Sequence, residues 1–327
     1  MNELLALTWS EHRRMAELCA GLGLELVILG TLRRGALRYL LLGRQTMTLL
    51  WRRRPAVLLV QNPSLVLSAL CAVMRKLLGY TLVVDAHNEA VEPYVNRQWW
   101  VKWLSRWVIR HTDLTIVTNR QLATQVASQG GRPFTLADRV PVPLGGATRS
   151  LDGTFNAVLV ATFAADEPVA AVLEAVRGID IQLYVTGNHV RLDPGVAAGA
   201  PPNVRFTGFL REPDYWGLLR SADAIVDLTL MDNCLVCGAY EALALGKPML
   251  LSNNSASIEL FGDCAVYTDN SPPDIRSALE RLKLEHGRLR AAAERRRSEL
   301  ADQWRDGAGR LREQLEGRCA PLAVNRS

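Results

Sequence analysis

Short apolar runs, rich in Val, Ile, Leu and Thr and with little polar alternation, recur along the whole chain. In the first half they fall at 3–8, 24–29, 56–60, 81–86 and 114–118, and in the second at 157–162, 181–186, 204–208, 224–229, 248–252 and 264–268. A strand with one wet face alternates polar and apolar residues, whereas a strand buried on both faces reads as an unbroken apolar run. These runs therefore predict parallel sheets covered by helices. Amphipathic stretches at 64–78, 119–129, 167–177, 213–221 and 238–245 supply the helices. Repeated β-α units predict an α/β protein built of doubly wound sheets. Proline, paired glycine and small polar residues at 143–154 predict a linker between two domains. Two such domains are expected to face a central cleft, with ligands at the carboxyl ends of the strands.

One apolar stretch needs a separate decision. Residues 55–74 carry no charge over twenty positions, long enough for a membrane span. Gln61, Asn62 and Pro63 interrupt it, and proline breaks a spanning helix. A buried strand over 56–60, a turn and a helix over 64–78 fit better. Positive charge follows the first apolar residues instead of preceding them, so no secretory signal is read.

The chain has 327 residues, enough for two cores, and a hydrophobic fraction of 49% with 22% charged residues, ordinary for a globular protein. The charge is unevenly spread. Residues 1–150 hold 19 Lys and Arg against 9 Asp and Glu, while residues 151–327 hold 19 against 24. A basic first half suits anionic membrane lipid, a lipid diphosphate or nucleic acid. No nucleic-acid-binding motif accompanies it, so nucleic acid is not expected as a partner. Of the six cysteines, Cys234 and Cys237 form a C-x-x-C without a second ligand pair, so no metal site is expected. A reduced, cytoplasmic protein is the simplest reading.

The most informative stretch is 223–252, which reads strand, loop, helix, Gly-Lys-Pro, strand. Gly238 lets backbone pack closely where the helix begins. The first N–H groups of a helix lack intrahelical partners and suit phosphate oxygens. Glu241, one turn in, is placed to accept both hydroxyls of a ribose. An acid also favours a first helical turn with no ligand at all, and the stretch by itself leaves both readings open.

The same stretch resembles the donor-site motif of retaining glycosyltransferases of the GT-B fold, in particular glycosyltransferase family 4. That resemblance implies two Rossmann-like domains. The acceptor-binding domain would span 1–148 and the nucleotide-sugar domain 149–302. Residues 303–327 would form a C-terminal helix crossing back to the first domain, around Trp304, and then a tail. Glu241 takes the place of the second acid of the family's E-x7-E pattern, which holds the ribose. The first acid is replaced by Asn233, with Asp232 and Cys234 beside it, at the donor-sugar position. The resemblance further implies phosphate contacts from Gly238, Ala239 and Tyr240, and a base resting against Phe209 and Leu210. Thr162 and Phe163, after the domain's first strand, are further donor nucleotide-binding candidates, at a place where the family usually has basic residues. Charge compensation must then come from elsewhere, and Arg13 and Arg14 are candidates.

In the first half, 58–70 and 82–94 resemble the acceptor domain of the same family, with Q-N-P and D-x-H-N turns after buried strands. This implies a catalytic role for His87, with Asn88, beside the donor sugar. His12, Arg13 and Arg14, after the first strand, are candidates for acceptor or phosphate binding. No D-x-D occurs, so neither metal nor cofactor is expected. The implied reaction moves a hexosyl unit from a nucleotide-diphosphate sugar to a saccharide acceptor, lipid-linked, in glycan or polysaccharide biosynthesis. The alternatives are a catalytically impaired nucleotide-binding or scaffold protein of the same fold and a sugar-nucleotide epimerase. Residues 97–111 predict a helix with Trp99, Trp100, Trp103 and Trp107 on one face, Lys102 and Arg106 on one flank of that arc and Arg110 at the Trp edge, and 33–54 predict a second basic, apolar helix. Both suit peripheral contact with an anionic membrane.

Overall fold

The computed structural model describes residues 4–62, 64–91 and 98–319. Pro63, the Glu92–Tyr94 part of the second acceptor-domain stretch, Arg97 and the tail from Ala320 lie outside the described residues. The chain divides into two compact units, one of Met1–Arg139 with Asp302–Ser327 and the other of Val140–Ala301.

The first unit contains β1 (Leu4–Thr8), α1 (Arg13–Leu22), β2 (Glu25–Ile28), α2 (Gly35–Arg53), β3 (Val57–Asn62) and α3 (Leu65–Leu78). It continues with β4 (Thr81–Ala86), α4 (Asn88–Val91), α5 (Trp99–Arg110), β5 (Leu114–Val117), α6 (Arg120–Ser128) and β6 (Pro133–Thr135). The strands pair in parallel in the order β2-β1-β3-β4-β5-β6. β6 matches none of the expected runs. It is a three-residue edge strand that is only partly buried, so it carries no unbroken apolar run to betray it.

The two faces of this sheet are read directly from alternate residues. Leu5, Leu7, Leu58, Val60, Leu82 and Val84 pack under α2, α3, α5 and α6. Ala6, Val57, Leu59, Val83 and Ile116 face α1 and the end of the last helix. Both faces are therefore dry, as the unbroken apolar runs require.

The second unit begins with β7 (Asn156–Leu159), α7 (Val169–Ala175), β8 (Gln182–Thr186), α8 (Pro194–Ala198), β9 (Val204–Gly208) and α9 (Glu212–Ser221). Then come β10 (Ala224–Asp227), α10 (Cys237–Ala244), β11 (Met249–Ser252), α11 (Ser255–Phe261), β12 (Ala265–Thr268) and α12 (Pro272–Leu284). Its strands pair in parallel in the order β12-β11-β10-β7-β8-β9. Gly145 and Gly146, from the glycine-rich stretch, lie against α9, where a Cβ on residue 146 would stand 2.3 Å from the Pro213 carbonyl oxygen.

The long helix α13 (His286–Cys319) serves both units. Its first part buries Leu289, Ala292 and Ala293 in the second unit. Its last part buries Trp304, Ala308, Leu311 and Leu315 against the first sheet. Trp304 fills a notch in α1 left by Gly21, where an added Cβ would stand 2.1 Å from the indole. The Arg139 guanidinium covers the ring at 5.3 Å.

Candidate functional site

In the second sheet the chain runs from β7 outward through β8 and β9, then continues on the other side through β10, β11 and β12. The loops leaving β7 and β10 diverge, and such a switch point opens a crevice at the carboxyl ends of the strands. Asp227 ends β10 and is buried; its Oδ2 accepts the Gly238 N–H at 2.7 Å. A Cβ on residue 238 would stand 2.6 Å from that oxygen, so only glycine permits the approach. Burial pushes the Asp227 carboxyl well above the usual range. The charges of Glu167, Glu241 and Asp166 act in the same direction, against the Gly238 hydrogen bond, and favour the neutral acid.

Glu241 is buried one turn into α10, and Tyr215 of α9 donates its hydroxyl to Oε2 at 2.5 Å. Burial, with the Glu241 carboxylate beside it, holds the Tyr215 hydroxyl well above its ordinary value, so it remains a donor. Tyr215 was not among the residues expected from the sequence. It lies 26 residues before its partner on another helix, with no motif linking the two.

Backbone donors near the crevice have partners within the unit. Gly238, expected to offer its N–H to phosphate, gives it to Asp227. Thr162 and Phe163, in the loop after β7, give theirs to Glu167. That carboxylate accepts the N–H groups of Thr162, Phe163 and Ala164 and the Thr162 hydroxyl at 2.7–3.3 Å. Phe163 adopts φ 59° in this turn. The left-handed region costs a non-glycine residue roughly 1 kcal/mol, which the Glu167 hydrogen bonds offset.

The remaining donor-site candidates separate into core and surface. The Ala239 and Tyr240 side chains point into the core, Tyr240 edge-on to Phe261 with ring centroids 5.4 Å apart. Phe209 is exposed on the turn after β9, beside Gly208 at φ 69°, while Leu210 packs against the core. Asn233 has φ 57° and accepts a hydrogen bond from Ser255 at 3.3 Å. The Cys234 carbonyl accepts one from Asn254 at 3.2 Å, and Asp232 is exposed. The three share the loop leading into α10, and Asn233 and Cys234 are tied to the start of α11.

The first sheet has its switch point between β1 and β3. His12 and His87, which follow β1 and β4, approach with ring centroids 4.9 Å apart. His87 caps α4 through its carbonyl, and Asn88 opens that helix. The Gln61 amide bridges Thr8, at 3.3 Å, and the His87 ring, at 3.5 Å. His87 Nε2 lies 3.8 Å from Asp85 Oδ2. Burial lowers the His12 pKa, as do His87 and Arg14, and the neighbouring Asp85 and Asp138 only partly counter them. His12 is therefore a neutral imidazole at neutral pH.

Arg14, a candidate for acceptor or phosphate binding, has partners within the unit. It is buried, with Nε 2.9 and 3.0 Å from the two Asp85 oxygens, a second nitrogen 2.5 Å from Asp138 and a third donating to the Leu136 carbonyl at 3.1 Å. Its positive charge is neutralised within the unit by Asp85 and Asp138. Burial raises the Asp138 carboxyl, but the Arg14 charge and hydrogen bond outweigh it and hold the group below the usual carboxylate range. Arg13 pairs with Glu17 along α1 at 3.1 Å, on the solvated side of the helix. Among the described residues no group of three His, Cys, Asp or Glu is arranged to hold a metal.

Comparison with solved structures gives this architecture its place. HepE from Anabaena, in complex with UDP and glucose, superimposes with a TM-score of 0.75 over 97% of this chain and 100% of that one, at 12% identity. The fold is GT-B. Sucrose-phosphate synthase from Thermosynechococcus elongatus gives a TM-score of 0.71 at 14% identity, over 94% of this chain and 85% of that one. A putative UDP-N-acetylglucosamine 2-epimerase from Listeria monocytogenes gives 0.61 at 13%, over 95% and 94%. Residues 5–145 match the family model described as a glycosyl transferase 4-like domain. No curated protein matches the chain. In GT-B terms, the matched region holds the His12 and His87 pair, and the second unit holds the Glu241 crevice.

Proposed function

We propose that this GT-B protein is a retaining hexosyltransferase. It takes its sugar from a nucleotide diphosphate and passes it to a saccharide acceptor, lipid-linked, in glycan or polysaccharide biosynthesis. The observation that carries this reading is Glu241. Its buried carboxylate, held by Tyr215 on the helix that follows β10, supports a role as acceptor for ribose hydroxyls. The structural neighbour solved with UDP and glucose makes uridine nucleotides the first donors to test.

In the proposed reaction the bond between the anomeric carbon and the diphosphate oxygen breaks, its electron pair leaving with the diphosphate, and the bond to the acceptor oxygen forms on the same face. The departing diphosphate takes the acceptor proton. His87, steadied by Gln61 and Asp85, orients the sugar and is not a nucleophile. Glu167 accepts the N–H groups of Thr162 and Phe163 and Asp227 that of Gly238, so the proposed donor diphosphate draws its hydrogen bonds from other groups.

Donor hydrolysis and transfer are to be measured for Glu241→Ala and His87→Ala across UDP-, GDP- and dTDP-sugars. Losing the hydrogen bonds of a buried carboxylate costs about 1.5–3 kcal/mol, so donor affinity in Glu241→Ala falls roughly ten- to a hundredfold. Wild-type activity in both variants sinks the assignment. The same assay without acceptor separates an epimerase, which would yield an isomerised nucleotide sugar.

A further inference from the structure

The helical layer formed by α2, α3 and α5 leaves an unusual outer face. α2 packs on α3 and α3 on α5, and all three cover one side of the first sheet. Each buries one stripe: Leu42, Thr46 and Leu50 in α2, Leu67, Cys71 and Met74 in α3, and Ser105, Val108 and Ile109 in α5. At 100° per residue the opposite stripe of each helix points away from the sheet. A surface helix normally carries polar residues there.

Here that stripe is apolar and cationic. Leu40 is 70% exposed, Trp51 59%, Leu77 74%, Trp99 79% and Trp103 59%. Single exposed apolar residues are common, but five large ones on three adjoining helices make a patch that marks a contact surface. Residues 33–54, 64–79 and 98–111 together hold twelve Lys and Arg and no Asp or Glu. Acids from outside the layer pair with two of these, Glu25 with Arg53 and Asp113 with Arg75. On α5 the two kinds of residue run side by side. Trp99, Trp103 and Trp107 line a groove together with Lys102, Arg106 and Arg110.

We propose that this face docks the protein on an anionic lipid bilayer. Indole rings settle at the level of the headgroups, with an apolar body toward the acyl chains and a polar N–H toward water. Lys and Arg stems lie along the apolar surface while their charged ends reach lipid phosphates. The absence of any acid across three helices removes the repulsion an anionic surface would otherwise meet. An acidic protein partner would satisfy the charge but not the exposed indoles, and nucleic acid would leave the aliphatic stripe of α2 in water. The contact is peripheral, since no helix among the described residues is long and apolar enough to cross a membrane.

The test is flotation of the full chain with two kinds of vesicle. One contains phosphatidylcholine and phosphatidylglycerol in equal parts, and the other phosphatidylcholine alone. The protein is expected to float with the first, to fall away with the second, and to be released from the first by high salt. Replacing Trp51, Trp99 and Trp103 together with Ser is expected to weaken partition by about tenfold or more. Lys102→Gln with Arg106→Gln is expected to weaken it by at least about fivefold. These side chains are exposed, so unchanged circular dichroism and UDP affinity are expected to accompany the loss. Brominated lipid, added to the wild type, is expected to quench its tryptophan fluorescence, a readout that requires no variant. Equal flotation of wild type and variants overturns the proposal. So does failure to float while a fluorescent oligonucleotide or polyglutamate binds. The surface lies wholly in the first unit, so it and the Glu241 donor reading can fail independently.

Discussion

Tyr215 and Asp227 set the chemistry of the candidate donor site at the scale of single residues. Tyr215 holds one oxygen of the Glu241 carboxylate at 2.5 Å. Removing the hydroxyl in Tyr215→Phe leaves the acid in place but no longer oriented. Hydrogen bonds to charged groups are worth about 1.5–3 kcal/mol, although only part of this is felt in binding. UDP affinity by calorimetry is therefore expected to fall roughly three- to tenfold, with little change in melting temperature. Asp227 gives a pH-dependent prediction. Its folded-state pKa is raised well above the unfolded value by burial and by its acidic neighbours. The folded protein thus keeps a proton that the unfolded chain has lost, and stability falls as pH rises from the unfolded value toward the folded one. Asp227→Asn keeps an acceptor for Gly238 but cannot ionise. Its melting temperature, measured from pH 4 upward, is expected to decline less than that of the wild type.

At the scale of elements, α13 fixes its second part through the contact between Trp304 and Gly21. In an isolated helix, Gly→Ala stabilises by about 1 kcal/mol. Here the new methyl would stand 2.1 Å from a packed indole. Overpacking of this kind costs about 1–3 kcal/mol, so Gly21→Ala is expected to be destabilising on balance. Differential scanning calorimetry is the measurement, and a rise in the melting temperature of the first unit would refute the packing argument. Gly238 behaves differently, because the atom it must avoid is the oxygen its own N–H donates to. Substitution there disturbs the α10 start and the Asp227 hydrogen bond together.

On the scale of the whole molecule, the first unit is discontinuous in sequence. One face of its sheet is covered by α1 and by Trp304, Ala308, Leu311 and Leu315 of α13. Ending the chain after Ala301 removes those four buried side chains at about 1.5–3 kcal/mol for each large one. The shortened chain is expected to lose the cooperative unfolding of its first unit, while the second unit still melts as a unit. Two-state melting of both units in the shortened protein would show that the last part of α13 is dispensable to the first core.

The sequence by itself determined the parallel, doubly wound halves, because strands buried on both faces must be apolar at every position. It also located the crevice-forming loop and the helix bearing Glu241, since the strand, loop, helix and Gly-Lys-Pro strand are all local. Only the tertiary structure decided which groups already have partners. Arg14 meets Asp85 and Asp138 across 71 and 124 residues and Glu241 meets Tyr215 across 26, pairs that only the tertiary packing brings together. The same holds for the backbone N–H groups after β7 and at Gly238. A sequence shows that such donors exist, but whether a carboxylate of the chain reaches them first depends on side chains packed around one switch point.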